Sequence, residues 1–172
     1  MQVMECKAPA GSLLGDTTIS QAYFHDSYSA PLSRDQDVAS LFFAIFGHRP
    51  RWMTWTLLIR NKLAAMAGLE AATTDEFLSA RQKDRYAVGD KIGIWPIYAL
   101  SDTEVVAGRD NTHLDFRVSI LKASNGDGQR VVVTTVCKVH NLAGRVYLFF
   151  IVPFHRLGVR QLLTNAVRAG RI

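Results

Sequence analysis

Between His113 and Asn141 the sequence spells His-Leu-Asp-Phe-Arg-Val-Ser-Ile-Leu, passes through Asn125-Gly126-Asp127-Gly128, and continues into Val-Val-Val-Thr-Thr-Val-Cys-Lys-Val-His-Asn. The Asn-Gly and Asp-Gly pairs tolerate positive φ, which tight hairpin turns require. With the turn centred between Gly126 and Asp127, Leu114, Phe116, Val118 and Ile120 share a face with Val139, Cys137, Thr135 and Val133. The other face sets His113 against His140, Asp115 against Lys138, Arg117 against Val136 and Ser119 against Thr134. A slip of one residue lays the apolar row of one strand beside the polar row of the other, so burial fixes the register. A hairpin with one apolar face needs a cover, and that need governs the rest of the fold.

The flanking sequence supplies the partners. Residues 22–32 read as a first strand closed by Pro31. Ser33-Arg34-Asp35-Gln36 has the Ser-x-x-Gln form of a capping box. Val38, Leu41, Phe42, Ile45 and Phe46 then recur at helical spacing until Gly47. Pro50 suits the first turn of a second helix, with Trp52, Trp55, Ile59, Leu63 and Met66 as its apolar stripe and Gly68 as its stop. Residues 69–86 are polar and read as a loop or short edge strand. After a turn at Val88-Gly89-Asp90, residues 91–100 and 104–109 read as strands leading into the hairpin. From about Leu142 the pattern is helical, with Tyr147, Phe150, Ile151, Phe154, Gly158, Leu162 and Asn165 along one side. Pro153 inside that run predicts a kink, because its ring meets the carbonyl of Phe149 and it has no N–H to donate.

The predicted class is therefore α+β: a strand, two short helices, an antiparallel meander and a long C-terminal helix as cover. The 172 residues, 48% apolar and 20% charged, suit a single packed domain over 1–172, with residues 1–20 as a loosely packed lead-in. The net charge of +5 is compatible with acidic ligands, but no long Lys/Arg block occurs. Cys6 and Cys137 do not make a disulfide framework, and they point to a reducing, cytoplasmic compartment. Residues 1–20 lack the pattern of a signal peptide. The longest apolar run, Val146–Phe154, falls short of the roughly 20 residues that span a bilayer.

This order of elements resembles the helix-grip superfamily (START-like, pollen-allergen-like and polyketide-cyclase-like), in which a curved antiparallel sheet wraps a long C-terminal helix and leaves a cavity between them. A narrower resemblance rests on Phe46-Gly47-His48-Arg49-Pro50-Arg51-Trp52, Gly89-Asp90-Lys91-Ile92-Gly93, His113-Leu114-Asp115-Phe116-Arg117, His140-Asn141-Leu142-Ala143-Gly144-Arg145-Val146-Tyr147 and Pro153-Phe154-His155-Arg156. Together and in this order they are similar to the domain of unknown function 2867 family, over roughly residues 25–168. The resemblance implies a fold and no established reaction.

Two sets of residues are candidates for a site. Trp95, Phe116, Thr135, Tyr147, Phe150, Phe154 and His155 converge where the sheet meets a kinked helix. They are the expected lining of a pocket for a small, largely apolar ligand, with Tyr147 and His155 as its orienting polar groups. The same aromatics also serve simply as core. The second set, His113, Asp115, Arg117, Lys138 and His140, gathers imidazoles, a carboxylate and cations suited to anion binding or proton transfer. A half-buried sheet produces that alternation without any function, so this row reads first as a solvated or docking face. No third ligand accompanies the two histidines, and no cofactor motif or phosphate loop occurs, so neither metal nor cofactor is expected. Helical spacing assigns Trp52 and Trp55 to a buried stripe, so Arg49, Arg51, Arg60 and Lys62 do not point to nucleic acid. Three functions remain open. They are ligand binding between sheet and terminal helix, a cyclase, dehydratase or isomerase using the same cavity, and a module that docks a partner domain or a second copy through the polar hairpin face. No residue is assigned a catalytic role.

Overall fold

A computed structural model of the chain describes residues 3–50, 52–53, 83–125 and 128–172. In chain order the elements are β1 (Met4–Glu5), α1 (Asp16–Ser20), β2 (Phe24–Pro31), α2 (Val38–Phe46), β3 (Lys91–Ile92), β4 (Trp95–Leu100), β5 (Glu104–Asp110), β6 (Leu114–Asn125), β7 (Gly128–Val139) and α3 (Leu142–Arg168). The strands form one antiparallel sheet in the order β1-β2-β7-β6-β5-β4-β3. The class is α+β, and the layout is a seven-stranded sheet gripping a long C-terminal helix.

The hairpin forms in the expected register, with Leu114 opposite Val139, Phe116 opposite Cys137, Val118 opposite Thr135 and Ile120 opposite Val133. The inner face of the sheet carries Tyr28, Ala30, Val105, Ala107, Val118, Ile120, Val131 and Val133, which pack against α2 and the second half of α3. Nearer the start of α3, Leu114, Cys137 and Leu148 form a smaller cluster with Phe24, Phe116 and Tyr147.

Two local expectations change. Helix α2 is capped by Asp37, whose carboxylate accepts from Ser40 N at 2.9 Å. Ser33 and Gln36 are not a capping box. Their side chains donate to the carbonyls of Ile172 and Arg171, so they hold the end of the chain against the start of α2. The strand expected over 91–100 is broken at Gly93, whose φ of 61° turns β3 back on β4. Trp52 and Met53 are helical, as the second predicted helix requires. The rest of that stripe (Trp55, Ile59, Leu63, Met66) and the segment 69–82 lie outside the described residues, as does the turn at Gly126-Asp127.

The outer face of the sheet is the largest departure. Ser119, Thr134 and Val136 are buried there, together with Ser27, Glu104 and Val106. The cover is the N-terminal segment expected to be loosely packed. Leu14 packs on Val106 and Val136, with Ile19, Ala22 and Ala99 around them. Glu104 anchors it: Oε2 accepts the N–H of Leu13 at 2.7 Å, and Oε1 accepts the hydroxyls of Ser12, at 2.6 Å, and Ser119. A carboxylate meeting three donors satisfies the condition for burying charge.

Helix α3 is capped by Asn141, which accepts from Gly144 N at 3.0 Å, and it runs through Pro153 as a single helix. Its inward residues are Gly144, Leu148, Gly158, Val159, Leu162, Leu163 and Ala166. Phe150 and Phe154 are exposed. A Cβ at Gly144 would overlap the carbonyl oxygen of His113, and one at Gly158 would lie 3.0 Å from Met53 Cε. These close approaches orient a helix that is apolar on nearly every side between Val146 and Phe154.

Candidate functional site

Strand β2 alternates Phe24, Asp26, Tyr28 and Ala30 on the inner face with His25, Ser27 and Ser29 on the outer one, because successive side chains point to opposite faces. Asp26 therefore enters the apolar side of the sheet, opposite Thr135. Its side chain is 1% exposed, and His155 Nε2, reaching down from α3, lies 3.2 Å from Oδ1. The second carboxylate oxygen, Oδ2, is buried with no hydrogen-bond partner among the described residues. The ring of Phe24 stands edge-on to the imidazole, with centroids 5.7 Å apart.

Neighbouring groups register the same environment. Burial, reinforced by the Asp26 charge, pushes the Cys137 thiol up to about 12. Burial and the same carboxylate push the Tyr28 phenol up to about 12. Cys137 and Tyr28 are therefore protonated at neutral pH, and Cys137 is a free but inert thiol. The contact between His155 Nε2 and Oδ1 fixes the orientation of the ring. The arrangement offers a buried acceptor, an oriented imidazole and an apolar surround. It suits a ligand group that donates a hydrogen bond, or a proton transfer.

Five of the seven expected lining residues lie on this side of the sheet. Thr135 is buried beside Asp26. Trp95 and Phe116 meet edge to face at 5.4 Å, and Trp95 continues to Phe42 and Phe46 at 5.7 and 5.9 Å. Tyr147 packs in the Leu114–Cys137–Leu148 cluster. His155 reaches Asp26. Phe150 and Phe154 do not belong to the site, because the helix presents them outward. Clefts among the described residues lie at the two ends of α3. One of about 150 Å³ is bordered by His140, Asn141 and Arg145, and a shallow one of about 570 Å³ by His48, Arg49, Asn165, Arg168 and Arg171. Neither lies between sheet and helix. In the second, Arg49 and Arg171 donate through Nε to the carbonyls of Phe46 and Ala44, capping the end of α2.

The polar hairpin row is not one site. His113 is buried and its ring stands against Tyr147 at 5.6 Å. Asp115 faces Lys138 in the ladder but pairs with His140 Nε2 at 2.9 Å, while Lys138 is exposed. Arg117 pairs with Asp110 at 2.6 Å and lies 3.5 Å above the Tyr98 ring. These contacts run along the outer face, so Asp115 and Arg117 do not turn inward. The residue that sequence reasoning missed is Asp26. Its signal was the alternation of β2, which puts an acid in line with Phe24, Tyr28 and Ala30.

A family model described as a protein of unknown function (DUF2867) matches residues 18–162, which contain Asp26, His155 and the whole aromatic seam. Among curated proteins none matches the chain.

Proposed function

The chain belongs to the DUF2867 proteins of unknown function, and from that premise we propose that it binds a small, largely apolar molecule at the seam between β2 and α3. The molecule's polar group engages Asp26 and His155. The observation that carries this reading is the unpartnered Oδ2 of Asp26. Leaving a buried acceptor unmade costs about 1–3 kcal/mol, and more for a charged group, which favours a ligand donor that completes it. Phe24, Phe116 and Tyr147 supply apolar surface beside the seam, packed with Leu114, Cys137 and Leu148, and Thr135 stands opposite Asp26 in the ladder. The grip-like layout supports kinship with the START-like superfamily, in which a cavity lies between the sheet and the terminal helix.

Native mass spectrometry of the protein purified from its own host tests the reading. A small co-purifying mass, present on the natural chain and absent from D26N, is the expected result. Retention of the same mass by D26N, or a bare chain together with no uptake of an apolar dye into the seam, counts against it. The imidazole–carboxylate contact favours one second reading, a cyclase, dehydratase or isomerase in which His155 carries the proton and Asp26 orients it. Turnover that is lost in both H155Q and D26N separates it from simple binding.

A further inference from the structure

We propose that the outward face of α3 docks on an anionic lipid surface, lying in the plane of the interface. Leu142, Val146, Phe149, Phe150, Phe154 and Leu157 are all exposed, Phe149 at 76% and Phe150 at 63%. They recur at i, i+4, i+7, i+8, i+12 and i+15, which is one stripe along the helix. At 1.5 Å per residue it is about 23 Å long. Scattered exposed apolar side chains are ordinary, but a continuous row of this length marks a binding surface.

Charge selects the occupant. Helix α3 contains Arg145, Arg156, Arg160 and Arg168 and no aspartate or glutamate. On the helical wheel Arg145 and Arg156 border the stripe on one side, and Arg160 follows one turn beyond it. The guanidinium of Arg145 lies 5.9 Å from the Tyr23 ring centre and that of Arg156 lies 5.7 Å from Phe24. Tyr23 is itself exposed. An apolar strip edged by arginines and an exposed tyrosine matches a boundary where acyl chains meet acidic headgroups. A second copy is a poorer match. A two-fold contact through this face brings the two rows of arginines together, with no acid on either helix to offset them.

Helix α3 is long and apolar enough, by length and composition, to cross a bilayer. Its opposite side is committed to the protein, with Leu148, Val159, Leu162, Leu163 and Ala166 buried against the sheet and α2. Surface docking uses the exposed stripe and leaves those contacts in place.

Co-sedimentation of the full chain with vesicles checks this, comparing phosphatidylcholine alone with phosphatidylcholine plus phosphatidylglycerol. Binding to the acidic vesicles is expected to be at least about tenfold tighter and to weaken with salt. F149S/F150S and R145Q/R156Q should each lower it about tenfold or more, and the unfolding transition of F149S/F150S should stay unmoved because both phenylalanines are exposed. The proposal is overturned by the absence of vesicle binding, by equal affinity for both compositions, or by binding that neither variant changes. A dimer dissociated by F149S/F150S assigns the face to a second copy. A large loss of stability in that variant shows the face covered within the chain. Either result also overturns the proposal.

Discussion

Asp26 occupies a position on β2 where Phe24, Tyr28 and Ala30 set an apolar row, and its carboxylate is only half satisfied among the described residues. The D26N variant keeps the size of the group and removes the buried charge. Its stability is expected to equal or exceed that of the natural chain by about 1 kcal/mol, measured by urea denaturation, while ligand retention is lost. A loss above about 2 kcal/mol would instead assign Asp26 a structural role. Beside it, Cys137 and Tyr28 make a pH prediction. Both hold their protons up to about 12 in the folded chain. The unfolded chain releases them at ordinary thiol and phenol values, so it gains stability first as pH rises. The contribution is fully present below the ordinary thiol range and is lost progressively towards pH 12. Urea unfolding at stepped alkaline pH should show that decline, and C137A should flatten it.

Among the elements, the N-terminal segment and β5 are joined by one carboxylate. Residues 12 and 13 reach Glu104 across more than 90 positions of sequence. Replacing Glu104 by alanine strands the hydroxyls of Ser12 and Ser119 and the N–H of Leu13 in a buried place. A cost of about 3 kcal/mol or more follows. Chemical denaturation gives that cost, and limited proteolysis of E104A should cut first within residues 6–22. A variant as stable and as resistant as the natural chain would show the segment held by apolar contact alone. Helix α2 teaches a related lesson about short motifs. Ser33 and Gln36 have capping-box spacing, yet Asp37 caps the helix and they bind the last two carbonyls of the chain. Spacing alone does not say which of two nearby acceptors or donors a side chain will reach.

The whole molecule is a sheet covered on both sides, by α2 and α3 on the inner face and by residues 6–22 on the outer. Deleting residues 1–22 uncovers Val106 and Val136 and takes β1 from the edge of β2. The truncated chain is expected to associate through that face, visible as a rise in light scattering with concentration. A soluble monomer with unchanged stability would contradict the two-sided packing. The exposed stripe on α3 lies on the helix side of the sheet, and the ion pairs Arg117–Asp110 and Asp115–His140 lie on its outer face.

Local chemistry by itself determined β2, α2, β5, the terminal helix and the pairing of β6 with β7, because helical spacing, period-two alternation and glycine-bearing turns act between near neighbours. It also marked seven residues as an inner set, of which Trp95, Phe116, Thr135, Tyr147 and His155 lie on that side of the sheet while Phe150 and Phe154 are exposed. Tertiary structure decided the rest. The inward face of α3 was not legible, because residues 146–154 are apolar nearly all round and long-range contacts, among them the close approaches at Gly144 and Gly158, orient them. The cover over Ser119, Thr134 and Val136 was not legible either, since no local pattern links Ser12 and Leu13 to a glutamate about 90 residues away. Asp26 lies between the two cases. Its place on the apolar row is written in β2, but its worth as a site depends on His155 arriving from 129 residues later and on one oxygen left without a donor.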